Sequence, residues 1–347
     1  MLELSEGNLL ETQADALVNT VNTEGVMGKG IALQFSKKFP EMFEAYRLAS
    51  KAGEVQPGRM HVFERGEMFQ PRYLINFPTK RHWRSPSRLA DIKSGLEALV
   101  EEIRSRKIRS IALPPLGCGN GGLDWADVFP LIEAAMAPLS DVHVMVFAPK
   151  GAPKAADIVH RTERPAMNPS RAIVLKICRQ YPALDYQLTL LEIHKLLYLL
   201  QTAGEPLRLR FAKETYGPYA DNLRHLLHRF EGHFTLGFAD GRNKPDTEIS
   251  LLPGAVEAAE AYLAEHAESS TASLGRLRRV ATLVEGLESP FGMELLATVH
   301  WVACHEGARG LDAVAAAVHG WNARKQKLMS REHIALVYQR LTGQGWI

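Results

Sequence analysis

Two glycine-rich segments carry the residue types and spacing that are most suggestive of chemistry. The first runs from Val21 to Gly30 (VNTEGVMGKG), and the second runs from Pro114 to Trp125 (PPLGCGNGGLDW). Glycine lets the backbone adopt positive φ and lets a ligand approach the main chain closely. Successive N–H groups can then converge on an anion, and a following helix adds its N-terminal dipole. Together the two loops predict a site that holds a diphosphate from both sides, although either loop alone would equally fit a tight turn.

Two better-known phosphate motifs fit these loops poorly. A Walker loop needs Lys after its second glycine and then Ser or Thr, whereas Gly30 is followed by Ile31 and Ala32. The second loop does match G-x-G-x-x-G, at positions 117, 119 and 122. That fingerprint opens the first βαβ unit of a dinucleotide-binding fold, but here it follows most of the candidate strands. A Rossmann dehydrogenase therefore stays an alternative only.

Alternating strands and helices must position these loops. Short apolar runs and amphipathic helical patterns alternate over residues 1–150, which predicts an α/β domain with a mixed, largely parallel sheet covered by helices on both faces. The candidate strands are Met1–Leu4, Ala16–Thr20, Arg59–Glu64, Tyr73–Phe77, Ser110–Leu113 and His143–Phe147. The candidate helices are Gly30–Phe39, Phe43–Ala52, Leu89–Arg106 and Trp125–Met136.

A change of pattern predicts a second domain. Residues 149–170 contain four prolines and few apolar residues, so we expect a linker over 151–170. Residues 171–347 show apolar spacings of three and four, which predicts a mostly α C-terminal domain with one short strand at Leu207–Ala212. Its candidate helices are Arg171–Gln180, Leu188–Thr202, Tyr219–Phe230, Ala255–Ala267, Ala272–Gly286, Gly292–His305, Leu311–His319 and Arg331–Leu341.

Composition excludes several classes of protein. The net charge of +2 gives no electrostatic case for wrapping nucleic acid. The three cysteines form no CxxC pair, so we expect no metal site. The chain begins without a basic, then apolar, leader pattern and contains no apolar stretch long enough for a membrane span, which predicts a cytoplasmic location.

Taken together, these residues resemble a macrodomain. The matching order is Glu6–Leu10, Ala14–Asn19 and then the two glycine loops. The chain is more specifically similar to the DarG-type DNA ADP-ribosyl glycohydrolase antitoxins. Residues 76–83 (NFPTKRHW) resemble that family's lysine-bearing segment, and residues 216–225 (YGPYADNLRH) resemble the signature of its C-terminal domain.

The resemblance implies a function. The DarT-type toxin of such pairs transfers ADP-ribose from NAD to thymine bases in single-stranded DNA. The macrodomain of the antitoxin hydrolyses this N-glycosidic bond, a DNA-repair activity, and the C-terminal domain binds and neutralises the toxin. The expected partners are therefore ADP-ribosylated single-stranded DNA and the toxin, with no cofactor.

The resemblance also assigns roles to residues. Lys80 would attack the anomeric carbon of the distal ribose, and burial beside Arg81 and Arg84 would lower the pKa of its amine. In the human relative, a terminal ADP-ribose glycohydrolase, the lysine works with an aspartate at the position of Gly121, so a second catalytic carboxylate is in doubt. Asp124 instead fits the N-cap of the helix that starts at Trp125.

The expected ligand contacts come from both glycine loops and from the N-terminal segment. Asn8 stands where macrodomains have an acid, and its amide oxygen can still accept from adenine, although a turn role fits equally. Asn22 would contact the distal ribose or form an Asx-turn that shapes its loop. The predicted ADP-ribose contacts are Asn8, Leu9, Asn22, Gly28, Gly30, Ile31, Gly117, Cys118, Gly119, Asn120, Gly121, Gly122 and Leu123, and the candidate DNA contacts are Arg81, Trp83 and Arg84.

Alternatives remain open for the chain as a whole. It could bind ADP-ribose without cleaving it, or it could act only by binding the toxin. In the C-terminal domain, Tyr216–Tyr219 is interpreted as a turn with Pro218 near the start of helix 219–230. His225, His228 and His233 lack the HExxH spacing of a metal site, so a solvated helix face is expected there.

Overall fold

The chain folds into two compact units. The computed structural model describes residues 1–149, 155–181, 188–239, 241 and 243–347. The first unit covers Met1–Glu163, and the second covers Arg164–Ala239 and Asn243–Ile347. The division falls inside the predicted linker segment, of which residues 151–154 lie outside the described residues.

A mixed sheet forms the middle layer of the first unit. Within residues 1–149, six strands pair in the order β1-β6-β5-β2-β4-β3. All neighbours are parallel except the antiparallel pair of β3 and β4. The strands are β1 (Leu2–Ser5), β2 (Ala16–Asn22), β3 (His61–Glu64), β4 (Tyr73–Lys80), β5 (Ser110–Leu113) and β6 (His143–Phe147).

Helices cover both faces of this sheet. On one face, α1 (Gly30–Lys38) and α2 (Pro40–Lys51) bury Phe35 and Tyr46 against strand residues such as Leu17. On the other face, α3 (Leu89–Ser105) and α4 (Trp125–Met136) pack on the alternate strand residues. Because the strands are apolar on both sides, as buried parallel strands must be, the sheet separates two apolar cores. The predicted α/β architecture is confirmed.

Most predicted elements of the first unit are found, and the differences lie at their ends. β5, β6 and α4 have the predicted bounds. β4 was expected to end at Phe77, but it continues to Lys80 because its partner β2 also continues, to Asn22. The lysine expected in a loop is therefore the last residue of a strand.

The second unit is largely helical, as predicted. Its core is built mainly by the central helices, in which Leu197 and Leu296 are fully buried. In the part of the chain that the structure describes, none of the helices is long and apolar enough to cross a membrane. The helices are α5 (Pro169–Gln180), α6 (Leu190–Thr202), α7 (Leu223–Phe230), α8 (Ala255–Glu265), α9 (Ala267–Val284), α10 (Pro290–Cys304), α11 (Leu311–His319), α12 (Ala323–Leu328) and α13 (Arg331–Gly343).

The segment around Pro218 is a correction to the sequence analysis. Residues 219–230 were expected to form one helix, but β7 (Phe211–Glu214) and β8 (Gly217–Ala220) form an antiparallel hairpin, and the helix begins only at Leu223. Gly217 has φ +94, a backbone conformation that is incompatible with a right-handed helix. Pro218 lies in a two-stranded sheet, where its missing N–H is tolerated. Two further short strands, β9 (Thr235–Leu236) and β10 (Ser250–Leu251), also pair.

Buried charges hold this hairpin. The Lys195 ammonium, on α6, donates to the carbonyl oxygen of Pro218 at 2.7 Å. Burial and the nearby Lys325 lower the pKa of Lys195 to about 7. Glu294 accepts from Lys325 at 2.5 Å and from Arg324 at 2.6 Å. Lys195, Lys325 and Glu294 are all at most 2% exposed. Glu294 rather than water compensates the charge of Lys325, and the carbonyl dipole of Pro218 stabilises the ammonium of Lys195.

Glu294→Gln should destabilise the second unit strongly. The substitution leaves Lys325 buried without its counter-charge, and breaking a buried pair in this way costs about 3 kcal/mol. Urea unfolding followed by circular dichroism measures the loss. The matched control is Glu306→Gln, because Glu306 pairs with Lys213 at 2.7 Å in a partly exposed position, where about 1 kcal/mol or less is expected. Equal losses in both variants would contradict the buried pair's role.

Candidate active site

Three segments meet at one edge of the sheet. β5, β2 and β4 are parallel neighbours, so their carboxyl ends lie side by side. The first glycine loop leaves β2, the second leaves β5, and Lys80 ends β4. Ligands of open α/β sheets bind at such an edge. The fold thus brings together the two loops and the lysine that the sequence analysis selected.

Asn22 organises the first loop. Its side-chain oxygen accepts from the N–H of Glu24 at 2.9 Å, and its amide donates to the carbonyl of Val26 at 2.6 Å. The hydroxyl of Tyr46, on α2, donates to the carbonyl oxygen of Asn22 at 2.6 Å. The Asx-turn interpretation of Asn22 thus describes its observed bonds, and contact with a distal ribose stays a prediction.

The helix after the first loop begins without a cap. α1 starts at Gly30, which has φ +63, and the preceding Lys29 makes no side-chain capping bond. The first N–H groups of a helix have no partner inside it. In contrast, α4 is capped by Asp124, whose carboxylate accepts from the N–H of Ala126 at 2.9 Å, as predicted. Of the two helices that follow the glycine loops, α1 is therefore the one suited to receive an external anion.

The second loop presents unpaired backbone donors. Its own bonds run from Gly122 N–H to the carbonyl of Gly119 and from Leu123 N–H to the carbonyl of Gly117, at 3.2 Å and 3.1 Å. Among the described residues, no protein atom accepts from the N–H groups of Gly119, Asn120 or Gly121. Three successive free donors in a tight loop form an anion-binding concavity.

Close packing explains why only glycine fits at position 121. A Cβ atom there would lie 2.2 Å from the carbonyl oxygen of Gly117 and 2.3 Å from the hydroxyl of Ser87. The N–H of Ser87 also donates to the carbonyl of Gly121 at 2.9 Å. Position 121 is thus sterically closed to an aspartate or any other side chain unless its neighbours move.

Lys80 reaches from β4 to the second loop. Its amine donates to the carbonyl oxygen of Asn120. A register shift between Val21 and Asn22 places Asn22 opposite Lys80, and bulges of this kind re-aim side chains next to active sites. Partial burial lowers the pKa of the Lys80 amine. The shift has the direction that a nucleophilic amine needs, but its cause is burial and not the neighbouring arginines.

The basic-aromatic segment after Lys80 is largely engaged within the protein. The guanidinium of Arg81 donates to the carboxylate of Asp91 at 2.8 Å. The Arg84 guanidinium lies over the Trp83 ring, 4.4 Å from its centroid, and the ring of His82 stacks on Trp83. Trp83 keeps 36% of its surface exposed. DNA contact by Arg81, Trp83 and Arg84 stays a prediction, and a base that stacked on Trp83 would compete with Arg84 and His82 for its ring.

The remaining predicted contacts have local structural roles as well. The side-chain oxygen of Asn8 caps a short 3-10 helix (Leu9–Glu11) by accepting from the N–H of Leu10 at 3.1 Å. The side chain of Leu9 is buried in the core, so only its backbone can meet a ligand. Burial raises the pKa of the Cys118 thiol to about 11, which removes it as a nucleophile at neutral pH. No grouping of His, Cys, Asp and Glu suited to a metal ion occurs among the described residues.

Three residues of the site escaped the sequence analysis. The hydroxyl of Thr23 donates to the carbonyl of Arg81, Asp91 binds the Arg81 side chain, and Ser87 packs beneath the second loop. Ser87 precedes an amphipathic helix and Asp91 lies in its first turn, where a polar residue ordinarily indicates only that a helix begins. The hydrogen bond from Thr23 to Arg81 joins residues that follow two different strands, so no local sequence pattern predicts it.

A three-layer α/β unit with unpaired N–H groups at the carboxyl edge of its sheet is the architecture of a macrodomain. The profile of the Macro domain family matches residues 18–132 of this chain. The DNA ADP-ribosyl glycohydrolase of Thermus aquaticus is similar along nearly the whole chain, with 46% identity over 345 residues, which cover 99% of this chain and 94% of that protein. The chain belongs to the DNA ADP-ribosyl glycohydrolase family, as its motifs predict.

Two other relatives extend this result. A DNA ADP-ribosyl glycohydrolase of Mycobacterium tuberculosis is 43% identical over 352 residues, which cover 98% of this chain and 99% of that protein. A DNA ADP-ribosyl transferase-DNA ADP-ribosyl glycohydrolase fusion protein of Thermosipho africanus is 33% identical over 163 residues, which cover 43% of this chain and 42% of that protein.

Gly121→Ala should strain the second loop. The added methyl group would overlap the Gly117 carbonyl, and overpacking against backbone costs about 1–3 kcal/mol. Urea unfolding of the first unit, followed by the fluorescence of its tryptophans, measures this loss. Gly28→Ala is the matched control in the other loop, because the nearest atom to its added Cβ is 3.7 Å away; it should change stability by less than about 0.5 kcal/mol. Unchanged stability of Gly121→Ala would show that the loop is not closed as described.

Proposed function

We propose that this chain is a DNA ADP-ribosyl glycohydrolase that removes ADP-ribose from thymine bases of single-stranded DNA. The observation that carries the proposal is the convergence of Lys80 with two sets of unpaired backbone donors at one sheet edge. The family membership of the chain supports the substrate class, because its relatives are named for this activity.

The diphosphate of ADP-ribose would lie between the start of α1 and the second loop. The N–H groups near Gly30 and Ile31 would donate from one side, and those of Gly119, Asn120 and Gly121 from the other. Such preorganised donors bind phosphate oxygens without reorganisation. The distal ribose then falls beside Asn22 and Lys80, which are register partners. Adenine would lie towards Asn8 and Leu9.

Lys80 supplies the reactive group in this scheme. Its deprotonated amine attacks the anomeric carbon of the distal ribose, the bond to the thymine nitrogen breaks, and the base takes up a proton. Water then releases ADP-ribose from the lysine. The Cys118 thiol stays protonated, and Gly121 offers no carboxylate, so the amine is the nucleophile that the loops surround.

Lys80→Ala should abolish release of ADP-ribose from an ADP-ribosylated thymidine oligonucleotide, with a loss of about 10³-fold or more. The substitution removes the amine but none of the backbone donors, so the affinity for ADP-ribose should change little. Chromatographic release assays and calorimetric titration give the two quantities. Lys93→Ala, on the exposed face of α3, is the control and should behave as the parent.

The pH profile gives an independent check of the same amine. Because burial lowers the pKa of Lys80, the release rate should rise with pH and level off below the ordinary lysine value of about 10.4. If the parent binds ADP-ribose tightly but does not release it from the oligonucleotide, the chain is a non-cleaving reader of the modification. Absence of ADP-ribose binding would exclude both the hydrolase and the reader.

We further propose that the second unit binds and neutralises a DarT-type ADP-ribosyltransferase, so that the chain is the antitoxin of a pair. The support comes from the fusion relative, whose name joins the transferase and the glycohydrolase in a single protein. When two activities are fused in one protein, we expect the separate proteins that carry them elsewhere to bind each other.

Binding of the transferase should be independent of Lys80. The full chain with Lys80→Ala should still co-purify with a transferase and suppress its labelling of DNA, because the proposed contact lies in the second unit. Co-expression with the transferase, followed by size-exclusion chromatography and a labelling assay, measures both. If the chain hydrolyses the modified DNA but forms no complex with the transferase, neutralisation by binding is excluded and the enzymatic function stands.

A further inference from the structure

The second glycine loop supplies no carboxylate to Lys80, but a buried acid contacts the residue next to it. Gly121 is closed to any side chain, and the carboxylate of Asp124 is committed to capping α4. Asp91, in the first turn of α3, is only 6% exposed.

Asp91 holds the residue that follows Lys80. One carboxylate oxygen accepts from the guanidinium of Arg81 at 2.8 Å. No described atom donates to its other oxygen, which is also buried. Removing a carboxylate from water is costly unless a partner compensates for it. The buried Asp91 end therefore favours keeping the pair formed, while the Arg81 side chain, 57% exposed, is screened by water.

Arg81 is fixed on its backbone side as well. Its carbonyl oxygen accepts from the hydroxyl of Thr23 in the first loop. The adjoining Lys80 contacts the carbonyl of Asn120 in the second loop. The pair of residues 80 and 81 is thus tied to three separate elements: the first loop, the second loop and α3. Of these ties, the contact with Asp91 is the one that carries full charges.

We propose that Asp91 is a positioning residue for the reaction, which orients the Lys80 amine by anchoring Arg81. The acid acts through Arg81 and touches neither substrate nor amine. This inference rests on the proposed function, since it assigns Asp91 a role in the step that Lys80 performs. It also gives Arg81 a structural role besides the DNA contact predicted for it.

Single-turnover kinetics of Asp91→Ala, Arg81→Ala and the double variant test the proposal. Each single variant should slow release of ADP-ribose by about 10- to 100-fold, because small misplacement of a reacting group has effects of this size. The dissociation constant for ADP-ribose should stay within about twofold of the parent's, because the loop donors are untouched. The double variant should be no slower than the single ones, because the two residues act as a unit.

The matched control is Asp141→Ala. Asp141 pairs with Arg109 at 2.5 Å, also an aspartate–arginine pair, but Arg109 precedes β5 and thus lies at the opposite edge of the sheet. This variant should retain the parent's release rate. Asp91→Asn, which keeps the acceptor oxygen and loses the charge, should fall between the parent and Asp91→Ala.

Several outcomes would overturn the positioning role. These are a release rate of Asp91→Ala within about twofold of the parent, a parallel loss of ADP-ribose affinity, or additive losses in the double variant. A parent chain that releases no ADP-ribose would instead defeat the proposed function. In that case the ¹³Cε resonance of Lys80, assigned with Lys80→Arg, tests whether Asp91 positions the Lys80 amine. The resonance should move in Asp91→Ala and stay in place in Asp141→Ala.

Discussion

Backbone N–H groups without a protein acceptor destabilise a folded chain, and two sets of them lie at one edge of the sheet in the described part of the first unit. The uncapped start of α1 and the three donors of the second loop face the carboxyl ends of β5, β2 and β4. Leaving such groups unpaired is tolerated where a ligand or water completes them. Much of the surrounding architecture serves to hold the donors in place, including the Tyr46 hydroxyl on Asn22 and the packing of Ser87 beneath Gly121.

The elements that the sequence predicts best are those with local causes. Ser110–Leu113 is an apolar run with no competing pattern, and α4 follows Asp124, which caps it by a bond between near neighbours. The position of Lys80 has a distant cause, because β4 continues only as far as its pairing with β2 allows. The ion pair of Arg81 with Asp91 joins residues on either side of a turn, and neither periodicity nor composition signals it.

The second unit shows the same limit more strongly. The run from Leu190 to Thr202 has the apolar spacing of a helix, and α6 forms there. Within that run Lys195 looks like a solvated residue, yet it is buried and bonded to Pro218. The helical pattern from Tyr219 onward is overridden because β8 pairs with β7 and Gly217 takes a left-handed conformation. Tertiary contacts decide where local preference is weak.

The crowding around Gly121 limits which residues this chain can accept at position 121. A larger side chain there would displace both the Gly117 carbonyl and the Ser87 hydroxyl. At least one compensating change in the neighbouring loop or at the start of α3 would have to come first. Position 121 therefore cannot change alone without a loss of stability, and its identity is coupled to the residues packed against it.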